Sequence, residues 1–133
     1  MAAKQKIVHH WQLEVFQLAR EVAQQFFQVS GRFPKEEIYS LTDQGRRASR
    51  AVSAMIAEAW RRRKYGAAFV NKLNEAEGEA AETQVWVMHA VDCAYLTKSE
   101  GRELHRLCDR IIGKLVNMGN RPEVWLLKKT ANE

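Results

Sequence analysis

Proline is nearly absent from this chain of 133 residues, occurring only at Pro34 and Pro122. The long stretch between them is therefore free of the strongest helix breaker. Cysteine is as scarce, with only Cys93 and Cys108, so a disulfide-stapled secreted scaffold is excluded and free thiols are expected. No apolar run approaches the ~20 residues of a membrane span. Met1 to His10 holds no apolar core of the length a secretory leader needs, so a cytoplasmic protein is expected. No window alternates apolar and polar residues for long, so no strands are predicted. Also missing are a glycine-rich phosphate loop, a His-Glu-x-x-His helix and a Cys-x-x-Cys pair. Without convergent groups that include a nucleophile or a metal, no enzymatic activity and no cofactor are expected.

What is present is helical periodicity. Val8, Trp11, Val15, Leu18, Val22 and Phe26 recur at three- and four-residue steps, which predicts helix one from about Val8 to Val29. Leu13, Phe16, Ala23 and Phe27 add a second apolar arc. Together the two arcs are wider than the ~100° stripe that one core requires, so helix one is expected to meet another subunit. Gly31 is read as its C-terminal cap. Helix two is predicted from Lys35 or Glu36 to Lys64, with Lys35 to Tyr39 readable as a separate turn. Helix three is placed at about 67–95, on Phe69, Leu73, Ala76, Ala80, Val87, Val91 and Ala94. Thr97 and Glu100 have the spacing of a capping box. They open helix four, 98–118, on Leu104, Leu107, Ile111, Leu115 and Met118, and Gly119 is expected to stop it. Short connections make sequential helices antiparallel, giving an all-α, up-down-up-down four-helix bundle in a single domain. A tail, 119–133, carries Val124, Trp125, Leu126 and Leu127, for which packing on the bundle and docking on a neighbouring subunit both stay open.

Acids are almost missing between Gln44 and Lys64. There Arg46, Arg47, Arg50, Arg61, Arg62, Arg63 and Lys64 face only Glu58. The segment carries +6 while the chain carries +5, so everything outside it sums to −1. At 100° per residue Arg46, Arg47, Arg50, Arg61 and Lys64 share an arc beside the buried face of Leu41, Gly45, Ala48, Val52, Met55, Ile56 and Ala59. A basic ridge of this kind suits a polyanion backbone. The competing reading is a solvated face neutralised by a neighbour's acids. Glu75, Glu79 and Glu82 form such an acidic row on helix three, and its start should lie near Arg61 to Lys64.

His89, Cys93, His105 and Cys108 are the best metal candidates. With the hairpin centred near Thr97, the two cysteines sit about 10 Å apart along the axis at ~1.5 Å per residue. Ligands ~2.0–2.3 Å from one zinc cannot span that, so no metal site is expected. His9, His10 and Trp11 admit a metal or stacking role, but Trp11 fits the core stripe and core packing is preferred.

The chain resembles a known family at this point. Phe33-Pro34 precede an acid, Glu37, and Tyr39, Ser40 and Leu41 follow. Gln44, Gly45, Arg46, Arg47 and Ala48 form a Gln-x-Arg-Arg-Ala element. Ile56-Ala57-Glu58, the basic cluster Arg61 to Lys64, Phe69, Gly78 with Glu82, and Tyr95-Leu96-Thr97 continue in order. This order and spacing, from Trp11 to Val116, are similar to those of the four-helix-bundle proteins named for open reading frames in intervening sequences of bacterial 23S ribosomal RNA genes, the S23-type proteins. Met55 stands where that pattern usually has Asn, and Ala59 where it has Gly, so any binding role of the Asn is absent here. The resemblance implies a homopentameric ring of bundles. It also implies kinship with accessory proteins of diversity-generating retroelements, which pair with a reverse transcriptase and contact nucleic acid.

The expectation that follows is a non-catalytic, oligomeric protein that contacts RNA or DNA phosphates through Arg46, Arg47, Arg50, Arg61, Arg62, Arg63 and Lys64. Leu13, Phe16, Phe27 and Trp125 are its candidate subunit contacts. The alternative is a structural adaptor for a protein partner such as a reverse transcriptase.

Overall fold

The computed structural model describes residues 6–128. Four helices account for most of them: α1 (Glu14–Ser30), α2 (Leu41–Arg61), α3 (Gly66–Asp92) and α4 (Lys98–Asn120). Short 3-10 turns at His10–Gln12, Lys35–Glu37 and Pro122–Val124 complete the chain, and among the described residues there is no strand. In space α1 neighbours α2, α2 neighbours α3, α3 neighbours α4, and α4 returns to α1. The two diagonals do not approach each other, so the helices form the square cross-section of an antiparallel four-helix bundle. No helix is long and apolar enough to cross a membrane, among the described residues.

Each helix buries most of the stripe its periodicity sets out. Val22, Phe26, Ile56, Phe69, Leu73, Leu104, Ile111 and Leu115 are fully enclosed. Two glycines let helices approach closely. A Cβ on Gly45 would lie 1.9 Å from the Phe26 ring, and one on Gly101 would lie 2.4 Å from Val91 Cγ2. Gly45 thus fixes the distance between α1 and α2, and Gly101 that between α3 and α4.

The two ends of the bundle are tied differently. At one end, Phe33 meets Phe26 edge-on and lies against Tyr95. The Tyr95 hydroxyl donates to Glu37 Oε2 at 2.9 Å, so the α1–α2 connection is fastened to the α3–α4 turn. That hydrogen bond, together with burial, pushes the Tyr95 phenol up to about 12. The capping box forms as expected: the Glu100 amide donates to Thr97 Oγ1 and Glu100 Oε1 accepts from the Thr97 amide. The bond from the Thr97 amide is the main reason the Glu100 carboxyl is held below its ordinary range. At the other end, Trp125 packs edge-to-face on Trp60, Leu126 reaches Gly66, and the Leu127 amide donates to the Arg63 carbonyl.

Several boundaries differ from expectation. Helix one does not start at Val8. Leu13 is extended at φ −68° and ψ 131°, which separates the His10–Gln12 turn from α1. Trp11 is consequently 53% exposed rather than part of the core stripe, and Val8 is exposed as well. α3 ends at Asp92 rather than near Tyr95. There Ala94 takes a left-handed φ of 61° while the amides of Tyr95 and Leu96 donate to the Ala90 carbonyl. α4 runs through Gly119 to Asn120. Gly31 sits at the end of α1 but keeps a right-handed φ of −61°.

Candidate nucleic-acid interface

The basic residues begin from α2, whose buried face of Gly45, Ala48, Ser49, Val52, Ile56 and Ala59 turns the neighbouring arc outward. Arg47, Arg50, Arg61, Arg62 and Lys64 are exposed, while Arg46 and Arg63 are half-buried. Among the described residues none of the seven forms an ion pair. The acidic row of α3 does not pair with Arg61 to Lys64. Lys72 sits between Glu75 and Glu58, at 2.6 and 3.2 Å. Glu79 and Glu82 line a groove with Gln44, Arg47 and Arg50. There, burial and then the Glu82 carboxylate raise the Glu79 carboxyl, against a smaller opposing effect of Arg47. Arg47 thus feels the acids of α3, and Arg50 shares the groove with them.

Two of the seven have structural roles that helical spacing did not reveal. Arg46 Nε donates to Ser30 Oγ at 2.8 Å, and its Nη2 reaches the Phe27 carbonyl at 3.4 Å. It therefore satisfies backbone and hydroxyl acceptors at the C-terminal turn of α1, where a cation is favoured. Arg63 folds back, with Nε donating to the Trp60 carbonyl at 2.8 Å and the guanidinium 3.4 Å from the indole centroid. Burial and then the neighbouring Arg61 lower its pKa. The helix itself ends at Arg61, and Arg62 to Lys64 belong to the turn into α3. The ridge is accordingly two clusters: Arg46, Arg47 and Arg50 near one end, and Arg61, Arg62 and Lys64 at the other. About 16 Å of helix separates Arg50 from Arg61, with the small residues Ser53, Ala54 and Ala57 between them.

The second apolar arc of helix one borders this ridge. Phe27 is 41% exposed, and the guanidiniums of Arg46 and Arg50 lie 4.6 and 5.4 Å from its ring centroid. Phe16 is half-buried and takes the edge of His10 at 5.0 Å. Leu13 is 3% exposed in the single chain, because its extended backbone delivers the side chain to the core, and it has no surface left for a second copy. Trp125 likewise packs on its own bundle. Of the four arc residues, Phe27 is thus engaged by arginines of the same chain, a contact that a core-only count of apolar positions cannot register.

Arg20 was missed by the sequence reading. It shares a groove with Gln17, Gln24, Arg50 and Ser53 between α1 and α2, so it adds a cation from the neighbouring helix. Its signal was its place between Phe16 and Ala23 on the outer arc.

Cys108 is buried and its thiol is pushed up to about 12, chiefly by burial. Cys93 is exposed at the end of α3. Among the described residues no three His, Cys, Asp or Glu side chains are placed to hold a metal ion.

A family model described as 23S rRNA-intervening sequence protein matches residues 11–117. A protein of unknown function from the S23 ribosomal protein family of Bacteroides thetaiotaomicron VPI-5482 shares the fold, with a TM-score of 0.71 at 24% identity. The match covers 78% of this chain and 96% of that one. No curated protein matches the chain.

Proposed function

The chain belongs to the 23S rRNA-intervening sequence protein family, and from that premise we propose that it is a non-catalytic binding protein that holds RNA or DNA by its phosphates. The observation that carries this reading is a surface of Arg47, Arg50, Arg61, Arg62 and Lys64 that is exposed and free of ion pairs among the described residues. Phosphate contacts of this kind position a backbone and carry little sequence information. A salt titration tests it. Five duplex phosphates neutralised at a slope near −0.9 each predict roughly a 500-fold loss of affinity between ~50 and ~200 mM salt. Replacing Arg50, Arg61 and Lys64 together by Gln should abolish most of the binding without unfolding the bundle, since none is buried. No binding at low salt would end the reading.

Self-association belongs to the same proposal, and the resemblance to S23-type proteins puts the number of copies at five. With Leu13 buried and Phe27 roofed by arginines, Val85 and Met88 on α3 are the better candidates for a contact between copies, at 45% and 56% exposed. Repetition of the basic clusters around such an assembly would raise affinity by avidity. A stable 15.3 kDa monomer by light scattering would remove it.

Met88 also favours a second reading, a structural adaptor for a protein partner such as the reverse transcriptase of a diversity-generating retroelement. Met88 borders a groove of about 330 Å³ between α3 and α4, walled by Val87, Val91 and Gly101. Co-purification of one partner, lost on Met88→Asp in a protein that still self-associates, separates the adaptor from the oligomer contact.

A further inference from the structure

The His10–Gln12 turn builds a feature that phosphate binding does not use. Trp11 is half-exposed, and its ring lies parallel to that of His9, with centroids 4.1 Å apart and planes within 8°. The His10 ring stands nearly perpendicular to it, at 83°, with centroids 5.1 Å apart. The rings are held before any ligand arrives. Gln12 Oε1 accepts from the amides of Val8 and His9 at 2.7 and 2.9 Å, and Gln17 Nε2 donates to the Trp11 carbonyl at 3.1 Å. An exposed indole fixed by this many contacts is a surface, not a loose end.

Its location gives it meaning. Trp60 Nε1 donates to the Val8 carbonyl at 3.1 Å. This bond pins the aromatic turn to the last turn of α2, one residue before Arg61. The rings therefore lie at the end of the bundle that carries Arg61, Arg62 and Lys64, and Tyr65, its ring centroid 5.9 Å from Lys64 Nζ, is exposed at that end. Cations that follow a backbone, next to an aromatic face on which a base can stack, are the combination that distinguishes single-stranded from duplex binding. A duplex keeps its bases paired and has no face to offer.

Resting on the phosphate-binding reading above, we propose that the His9–Trp11 stack is a base-stacking platform, and that the ligand of the Arg61 cluster is single-stranded nucleic acid. An unpaired base stacks on the exposed part of the Trp11 indole, away from His9, while its flanking phosphates meet Arg61, Arg62 and Lys64. Stacking is tolerant of base identity, so the site selects for strandedness rather than sequence.

The test uses the full chain with oligo(dT) of about 15 nucleotides, within the range of single-strand sites, and a mixed-sequence duplex of the same length at one low salt concentration. Oligo(dT) should quench tryptophan fluorescence, and the quench should vanish in Trp11→Phe while most of the affinity remains. Trp11→Ala should weaken oligo(dT) binding about tenfold and leave duplex affinity unchanged, with an unaltered melting temperature as the control for folding. If Trp11→Ala leaves oligo(dT) affinity intact, or lowers duplex affinity equally, the platform is overturned while phosphate binding stands. If the unsubstituted protein binds neither ligand, the phosphate reading fails and the platform falls with it.

Discussion

Replacing Gly45 by alanine probes the approach of α1 to α2 on which the first basic cluster depends. A Cβ there would lie 1.9 Å from Phe26 Cζ and 2.3 and 2.8 Å from the two Cε atoms. Carbon atoms in contact sit about 3.5–4.0 Å apart, so the ring or the helix has to retreat by roughly 2 Å. Phe26 is fully buried and meets Phe33 edge-on, so the ring has no open side to turn into. Overpacking of this kind costs about 1–3 kcal/mol, and three ring atoms in conflict place it in the upper part of that range. Alanine returns about 1 kcal/mol of helix propensity relative to glycine. The net expectation is a loss of about 1–2 kcal/mol. Gly78 supplies the control, since it lies inside α3, is exposed, and its Cβ would meet nothing within 4 Å. Gly78→Ala should therefore stabilise by about 1 kcal/mol, so two chemically identical substitutions should differ by about 2–3 kcal/mol. In urea, with a slope of about 1–3 kcal/mol per molar, their midpoints should differ by about 1 M or more. Both are measured at one protein concentration, because association shifts apparent stability. In a Phe26→Leu background the Gly45→Ala penalty should shrink, since the clashing ring atoms are gone. A Gly45→Ala midpoint at or above that of the unsubstituted protein would refute the close approach. The loss should reach the binding surface too, because any retreat of α1 withdraws Ser30 and the Phe27 carbonyl from Arg46.

Arg46→Ala should destabilise by about 1–2 kcal/mol, through loss of charged hydrogen bonds at the end of α1, whereas Arg50→Ala should cost little; chemical denaturation separates them. Ala94→Gly should stabilise by up to about 1 kcal/mol, because glycine takes the φ of 61° without the Cβ conflict, and a lowered melting temperature would contradict it. The Tyr95 hydroxyl should titrate at about 12, and its raised value relative to the unfolded state means its contribution to stability is intact below about pH 10 and lost as pH rises through 12. Phenolate absorbance should show Tyr95 titrating late, and Glu37→Ala should lower its value. Val85→Asp with Met88→Asp should leave a folded monomer by light scattering if α3 mediates self-association; an unchanged assembly would place the contact elsewhere.

Much of the bundle follows from local rules that a linear chain displays in full. The three- and four-residue spacing of apolar positions sets out α1 to α4, because one helical turn is short and its periodicity does not depend on neighbours. The Thr97–Glu100 box is as local, and it formed at the residues expected. The concentration of positive charge between Arg46 and Lys64 is likewise a property of sequence alone. What the tertiary structure decided is which of those charges are available. Arg46 is engaged by a helix end sixteen residues away, and Arg63 by an indole that Trp125 of the tail also packs against. Trp11 satisfied the periodicity of a core residue, yet the extended backbone at Leu13 breaks the phase and leaves its ring in solvent. Leu13 and Phe27 looked alike as surplus apolar positions, but the same break buries one, and the stacked arginines of α2 partly cover the other. Periodicity assigns a residue to a face of its own helix. Only the packing of a second helix against that face determines whether the residue meets a methyl group, a guanidinium or water.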